Sequence, residues 1–162
     1  MTILELVKGF AHDLSTGIVV TDANLGDPGP SILYVNPAFE RLVGHDAQSL
    51  FGRSPRTLQG NATSPFTTRA MGAALRAGQP FHTCLTNYRA DGESYLCEID
   101  IRPIVNGRGK IEYFIAFERE VVRRRVRARP GQNTRYKALD PQTDAEAAGI
   151  LAASGCFSSR LD

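Results

Sequence analysis

The sequence predicts an α+β fold in which two strands, three helices and three further strands follow one another, with helical segments added at both ends. Three observations carry this reading. Residues 81–88 and 95–104 are strand-like runs flanking Asp91-Gly92, a pair that favours the tight turn of a hairpin. Pro37 and Ser64-Pro65 mark helix starts, and Gly44 and Gly78 mark helix ends. Residues 17–21 form a short, β-branched run of the kind that fills a buried strand.

Taken in order, Thr2 caps a first amphipathic helix whose Ile3, Leu6, Val7 and Phe10 recur at three- and four-residue steps. Residues 24–30 hold two glycines and two prolines, a turn cluster between strands 17–21 and 31–35. Pro37 opens a helix with Phe39, Leu42 and Val43 on one face, and short turns are expected over 46–50 and 55–58. Residues 64–77 form the longest helix of the core, ended by Gly78. Beyond the hairpin, Asn106-Gly107 turns the chain into a last strand over 111–117. Residues 119–129 read as a helical continuation stopped by Pro130-Gly131, 132–139 as linker, and 142–153 as a short helix capped by Asp140-Pro141.

The bulk properties suit one domain. A chain of 162 residues is long enough for a single substantial core. Apolar runs are strand-sized and the N-terminus has no basic segment before a long apolar one, so neither a membrane span nor a secretory signal is expected. Cys84, Cys97 and Cys156 are widely spaced and form no metal-ligand pattern, which favours reduced thiols and a cytoplasmic location. The net charge of +2 conceals a local +5 over 119–129, from six arginines and one glutamate, so the rest of the chain lies near −3.

Several separated motifs resemble one family. The run Gly52-Arg53-Ser54-Pro55-Arg56-Thr57-Leu58-Gln59-Gly60 is similar to G-x-N-C-R-F-L-Q-G, the signature of the light-oxygen-voltage (LOV) branch of the PAS fold. That pattern lies over residues 52–104 without a gap, through Asn87-Tyr88, Asp91-Gly92, Tyr95-Leu96-Cys97 and Arg102-Pro103, with Tyr113-Phe114-Ile115 downstream. Upstream, residues 17–22 and Tyr34-Val35-Asn36-Pro37-Ala38-Phe39 resemble the PAS entry strands. The resemblance implies a five-stranded antiparallel sheet with helices over one face at 17–118. Around this core stand an N-terminal helical cap (1–16), an arginine-rich segment and linker (119–139) and a C-terminal helix and tail (140–162).

The resemblance also implies a cofactor site. In that family FMN lies between sheet and helices, two arginines hold its phosphate, and two asparagines and a glutamine pair with its pyrimidine edge. A further glutamine on the last strand relays the signal. Arg56 matches the first phosphate arginine, Gln59 the signature glutamine and Asn87 the first asparagine. Gly72 falls at the second arginine, Cys97 at the second asparagine and Glu118 at the relay glutamine, while Arg69 lies one helical turn before Gly72 and is the candidate to recover the phosphate contact. Losing one arginine and two amides removes roughly 3–6 kcal/mol, a hundredfold to more than ten-thousandfold in affinity. The same residues have plainer readings: Arg56 and Gln59 as loop ties, Cys97 as a small buried apolar residue, Glu118 as a solvated strand end.

Pro55 stands where the family carries its photoactive cysteine, and Ser54 where it carries asparagine. Proline has no nucleophile, so the family's thiol–flavin adduct does not form at this position. Residues 64–77 contain no histidine, so the axial ligand that haem-binding PAS domains take from this helix is missing, and no metal site is expected. No nucleophile–base pair or phosphate-binding glycine loop is present, and no enzyme is expected. The leading reading is a stand-alone sensory PAS/LOV-like protein without adduct chemistry, acting through ligand sensing or protein–protein contact. A homodimer through the exposed sheet face and its flanking helices, and an unidentified protein effector, are the expected partners. Two alternatives stand beside it. One is an FMN photoreceptor signalling by flavin photoreduction. The other is a nucleic-acid or membrane binder that uses the basic segment, although this segment lacks the interleaved aromatics of nucleic-acid sites.

Overall fold

The computed structural model describes residues 1–125, 135–158 and 161. Its centre is an antiparallel sheet of β1 (Gly17–Asp22), β2 (Ile32–Val35), β3 (Phe81–Tyr88), β4 (Ser94–Val105) and β5 (Ile111–Arg123) in the order β2-β1-β5-β4-β3. A short sixth strand, β6 (Tyr136–Ala138), pairs with the far end of β5. Helices α2 (Pro37–Val43), α3 (Ala47–Leu50) and α4 (Pro65–Arg76), with a 3-10 turn at Pro55–Leu58, lie over one face. The α+β architecture expected from the sequence is therefore present.

The local signals act as their chemistry requires. Thr2 and Glu5 exchange side-chain and backbone hydrogen bonds in a reciprocal cap on α1 (Ile3–Ala11). Ser64 caps α4 with Pro65 in its first turn, and Asn36 caps α2. Asn36 does more than cap. Its carbonyl oxygen accepts the amides of Ile18 at 2.8 Å and Phe39 at 2.9 Å, while its amide donates to the carbonyls of Ala11 and Thr16, both at 2.9 Å. One fully buried side chain thus joins the end of α1, the start of β1 and the start of α2.

The arginine-rich segment departs from the expected helix. Residues 119–123 continue β5, held by β4 on one side and β6 on the other. Val121 is buried and pairs with Ala138, so two ladders of backbone hydrogen bonds and a buried β-branched side chain favour strand over helix here. The remainder of the segment, 126–134, lies outside the described residues. Part of the expected linker is β6, and the last helix, α5 (Pro141–Ala148), is shorter than predicted because Gly149 ends it.

Residues 136–158 then return across the outer face of the sheet. Leu151, Cys156 and Phe157 join Val7, Ala11, Ile18, Val20 and Phe117 in a second apolar cluster. Polar ties fix this strap. The Glu146 carboxylate accepts the amides of Ser15 and Thr16 at 2.7 Å and the Thr16 hydroxyl at 2.6 Å. Arg119 donates to Glu98 at 2.8 Å and to Asp144 at 2.9 Å, and its guanidinium stacks on the Phe157 ring at 4.3 Å. The Phe157 amide donates to Asp100 at 2.8 Å, and Arg102 donates to the Gly155 carbonyl at 2.9 Å. Burial would raise the Glu98 carboxyl, but the His82 hydrogen bond and the Arg119 charge outweigh it and hold it below its ordinary range. The sheet face expected to pair in a homodimer is therefore covered by the chain itself. Among the described residues, no helix is long and apolar enough to cross a membrane.

Glu146→Ala leaves two buried amides and a hydroxyl without their acceptor and is expected to lower stability by roughly 2–4 kcal/mol in urea unfolding. A loss below about 0.5 kcal/mol, the size of an ordinary surface substitution, would show that the strap is held by its apolar contacts alone.

Candidate functional site

A cavity of about 410 Å³ lies between the inner face of the sheet and the helical layer, within the roughly 300–1,000 Å³ usual for small-molecule sites. Its floor is apolar, with Val19, Leu85, Ile99, Ile101, Phe114 and Ala116 rising from four strands. Alternation puts Asn87 of β3 and Glu118 of β5 on this same inner face. The helical side brings Arg56 and Gln59 from the 3-10 turn, and Arg69, Gly72 and Arg76 from α4. Thus Arg56, Gln59, Asn87, Arg69 and Glu118 all line one cavity.

The signature run is built around its proline. Ser54 caps the 3-10 turn by accepting the Arg56 amide at 3.3 Å, and Pro55 occupies the first position, where a missing N–H is harmless. Pro55 itself borders the cavity, so the position of the family's reactive thiol is a helix-starting ring. Arg56 is exposed, and its guanidinium donates to the Pro28 carbonyl at 3.3 Å.

Cys97 belongs to the same inner face, in register with Leu85. It is absent from the cavity wall, fully buried, and its thiol donates to Glu118 Oε1 at 3.3 Å. Burial, then the neighbouring Glu118 carboxylate, push this thiol well above its usual range, so it is a neutral donor and no nucleophile. Neither Cys84 nor Cys156 reaches the cavity wall. No cluster of three potential metal ligands occurs among the described residues.

Glu118 is not a solvated strand end. The extension of β5 to Arg123 places it inside the strand, 4% exposed. Burial raises its carboxyl from an ordinary 4.5 to about 7, with the Cys97 hydrogen bond pulling part of the way back. Glu118 also borders a second, polar cleft of about 590 Å³, shared by Arg41, Glu120, Asp140 and Thr143, in the gap along β5 between β1 and β6. Arg76 was not among the expected site residues. The usable signal was spacing: residues 69, 72 and 76 share a helix face.

Comparisons with known proteins agree with this fold. A family model described as a PAS domain matches residues 15–123. A blue-light-activated histidine kinase of Brucella canis is 33% identical over 104 residues, 64% of this chain and 21% of that protein. A nitrogen fixation regulatory protein of Klebsiella oxytoca is 36% identical over 107 residues, 66% of this chain and 21% of that protein. The chain therefore spans about a fifth of the length of these curated relatives. Among solved structures, a light-oxygen-voltage domain studied with a flavin analogue superposes with a TM-score of 0.66 at 26% identity, over 73% of this chain and 85% of that one.

Glu118 links the cavity to pH. Between pH 4.5 and about 7 the folded protein keeps a proton that the unfolded chain has released, so stability falls as pH rises through this window. From about pH 5 to about pH 8 the wild type is expected to lose roughly 2–3 kcal/mol relative to Glu118→Gln, measured by urea unfolding at both values. Parallel pH profiles for the two proteins would mean that the carboxyl ionises as an ordinary glutamate.

Proposed function

Because the chain belongs to the PAS domain family, with its structural likeness in the light-oxygen-voltage branch, we propose that it is a sensory domain binding a phosphorylated flavin of the FMN class without bonding to it covalently. The observation that carries this is the polarity of one cavity, with arginines at the helical side, a buried amide and carboxyl on the sheet, and no thiol in its wall. Arg56 and Arg69, which line the same cavity, would hold the phosphate, and Asn87, Gln59 and Glu118 would meet the polar edge of the ring. Bound FMN would supply blue-light absorption and one-electron chemistry.

The residues present fit that group with three changes. Gly72 replaces an arginine, Cys97 replaces an asparagine and does not line the cavity, and Glu118 replaces an amide with a carboxyl. A protonated Glu118 both donates and accepts a hydrogen bond, as an amide does, whereas its ionised form only accepts. Any event in the cavity that shifts negative charge toward Glu118 favours its protonated form, and the Cys97 hydrogen bond transmits the change into β4. Sensing rather than catalysis is the role proposed, because among the described residues Glu118 is the one acidic side chain on the wall and no cysteine or histidine accompanies it. Output passes to another chain. The outer sheet face is covered, and α1 leaves Ile3, Leu6 and Phe10 exposed for such a contact. A light response by flavin photoreduction is the finer form of this proposal.

Titration of FMN with the protein, read by flavin fluorescence, is expected to give a one-to-one complex in about the micromolar range, the strength left after the missing contacts are subtracted. Asn87→Leu is expected to weaken it about tenfold or more. Absence of any complex at saturating FMN would retire the flavin reading.

A further inference from the structure

Gly72 lies where the second phosphate arginine of the family would be, and its hydrogen side chain looks like a plain loss. The surroundings of Gly72 say otherwise. A β-carbon added there would lie 3.2 Å from Nη1, 3.5 Å from Nη2 and 3.7 Å from Cζ of Arg76. The guanidinium of Arg76 thus fills the space that a side chain at position 72 would sweep. Helical side chains lean toward the N-terminus, so a long residue at i+4 reaches back over position i. Glycine inside a helix is less favourable than alanine by about 1 kcal/mol. No left-handed φ occurs at Gly72, so backbone conformation does not call for glycine there. What glycine provides is room.

We propose that Arg76, reaching back over Gly72, closes an anion clamp with Arg56 and Arg69, and that this clamp selects a phosphorylated ligand over its uncharged parent. The proposal rests on the flavin reading above for its ligand, and on the cavity lining and the space over Gly72 for its residues. All three arginines border the same cavity. None has a carboxylate within ion-pairing distance among the described residues. The acid on the cavity wall, Glu118, belongs to the sheet and is buried there.

Arg56 is the best anchored of the three. Its Nη1 donates to the Pro28 carbonyl, and a β-carbon on Gly29 would lie 3.1 Å from its Nε and 2.7 Å from the Ser54 hydroxyl. Gly29 has φ +112°, a conformation that L side chains rarely adopt, so the turn can press against Arg56 only with glycine there. Three cationic side chains border this one cavity without a carboxylate partner among the described residues, and a dianionic oxygen cluster would supply the missing negative charge. Planar guanidinium forks match phosphate oxygens in pairs, which a point charge does not.

The test compares FMN with riboflavin, the same ring system without phosphate, on the full chain. Wild type is expected to bind FMN at least about tenfold more tightly than riboflavin, and Arg76→Ala is expected to lose about tenfold for FMN while leaving riboflavin unchanged. Gly72→Val is expected to reproduce Arg76→Ala by displacing the guanidinium, with folding checked by circular dichroism. Equal affinities of wild type for the two flavins, or FMN affinity unchanged in Arg76→Ala, would overturn the clamp. If neither flavin binds, the flavin reading fails on its own. Inorganic phosphate then decides the clamp through the arginine Nε–H resonances: joint shifts of Arg56, Arg69 and Arg76 uphold it, and unmoved resonances overturn it.

Discussion

The alternation of side chains along β5 is the constraint on which the rest of this molecule depends. Thirteen residues run between β1, β6 and β4, and successive positions face opposite layers. Phe114, Ala116 and Glu118 face the cavity, while Ile115, Phe117 and Arg119 face the strap. Two adjacent ionisable groups, Glu118 and Arg119, are therefore buried back to back. An unpaired buried charge is penalised by several kcal/mol, and the two sides answer this differently. Arg119 is paired, with Glu98 beneath it and Asp144 above it. Glu118 has no ion-pair partner among the described residues and is held toward its neutral form by burial. One side of the strand is consequently fixed and the other is responsive to charge.

The fold was legible wherever its signals are local. Hairpin residues Asp91-Gly92, the caps Thr2 and Ser64, and Pro37 after Asn36 each act through neighbours a few positions away, and each does what its chemistry predicts. The misreadings come from long-range pairing. Residues 119–123 carry a composition that suits a solvated helix, yet ladders to β4 and β6 decide their form. Tyr136–Ala138 is a strand only because β5 extends far enough to receive it. The strap is invisible in one dimension, since Glu146 finds its partners about 130 residues away at Ser15 and Thr16.

The site shows the same division. Arg56, Gln59 and Asn87 belong to runs with a recognisable pattern, and the fold gathers them at one cavity. Glu118 was legible as a position but not as a buried group, because its burial depends on the length of β5. Arg76 was legible only through its spacing from Arg69 and Gly72: an arginine near a helix end is ordinary, and its reach over Gly72 exists only in three dimensions. Pro55 illustrates the opposite case. Its lack of a nucleophile is plain from sequence, and the structure adds that its ring starts the 3-10 turn on which Arg56 stands. A LOV-like scaffold has thus kept its cavity while its reactive position serves a structural end.

A crystal structure of the protein grown with FMN tests this account most directly. The account predicts one flavin in the cavity, its phosphate among the arginines of the helical side and its pyrimidine edge at Asn87 and Glu118, with no bond to any cysteine. A flavin in the reversed orientation, or a cavity holding only water at saturating FMN, would contradict it.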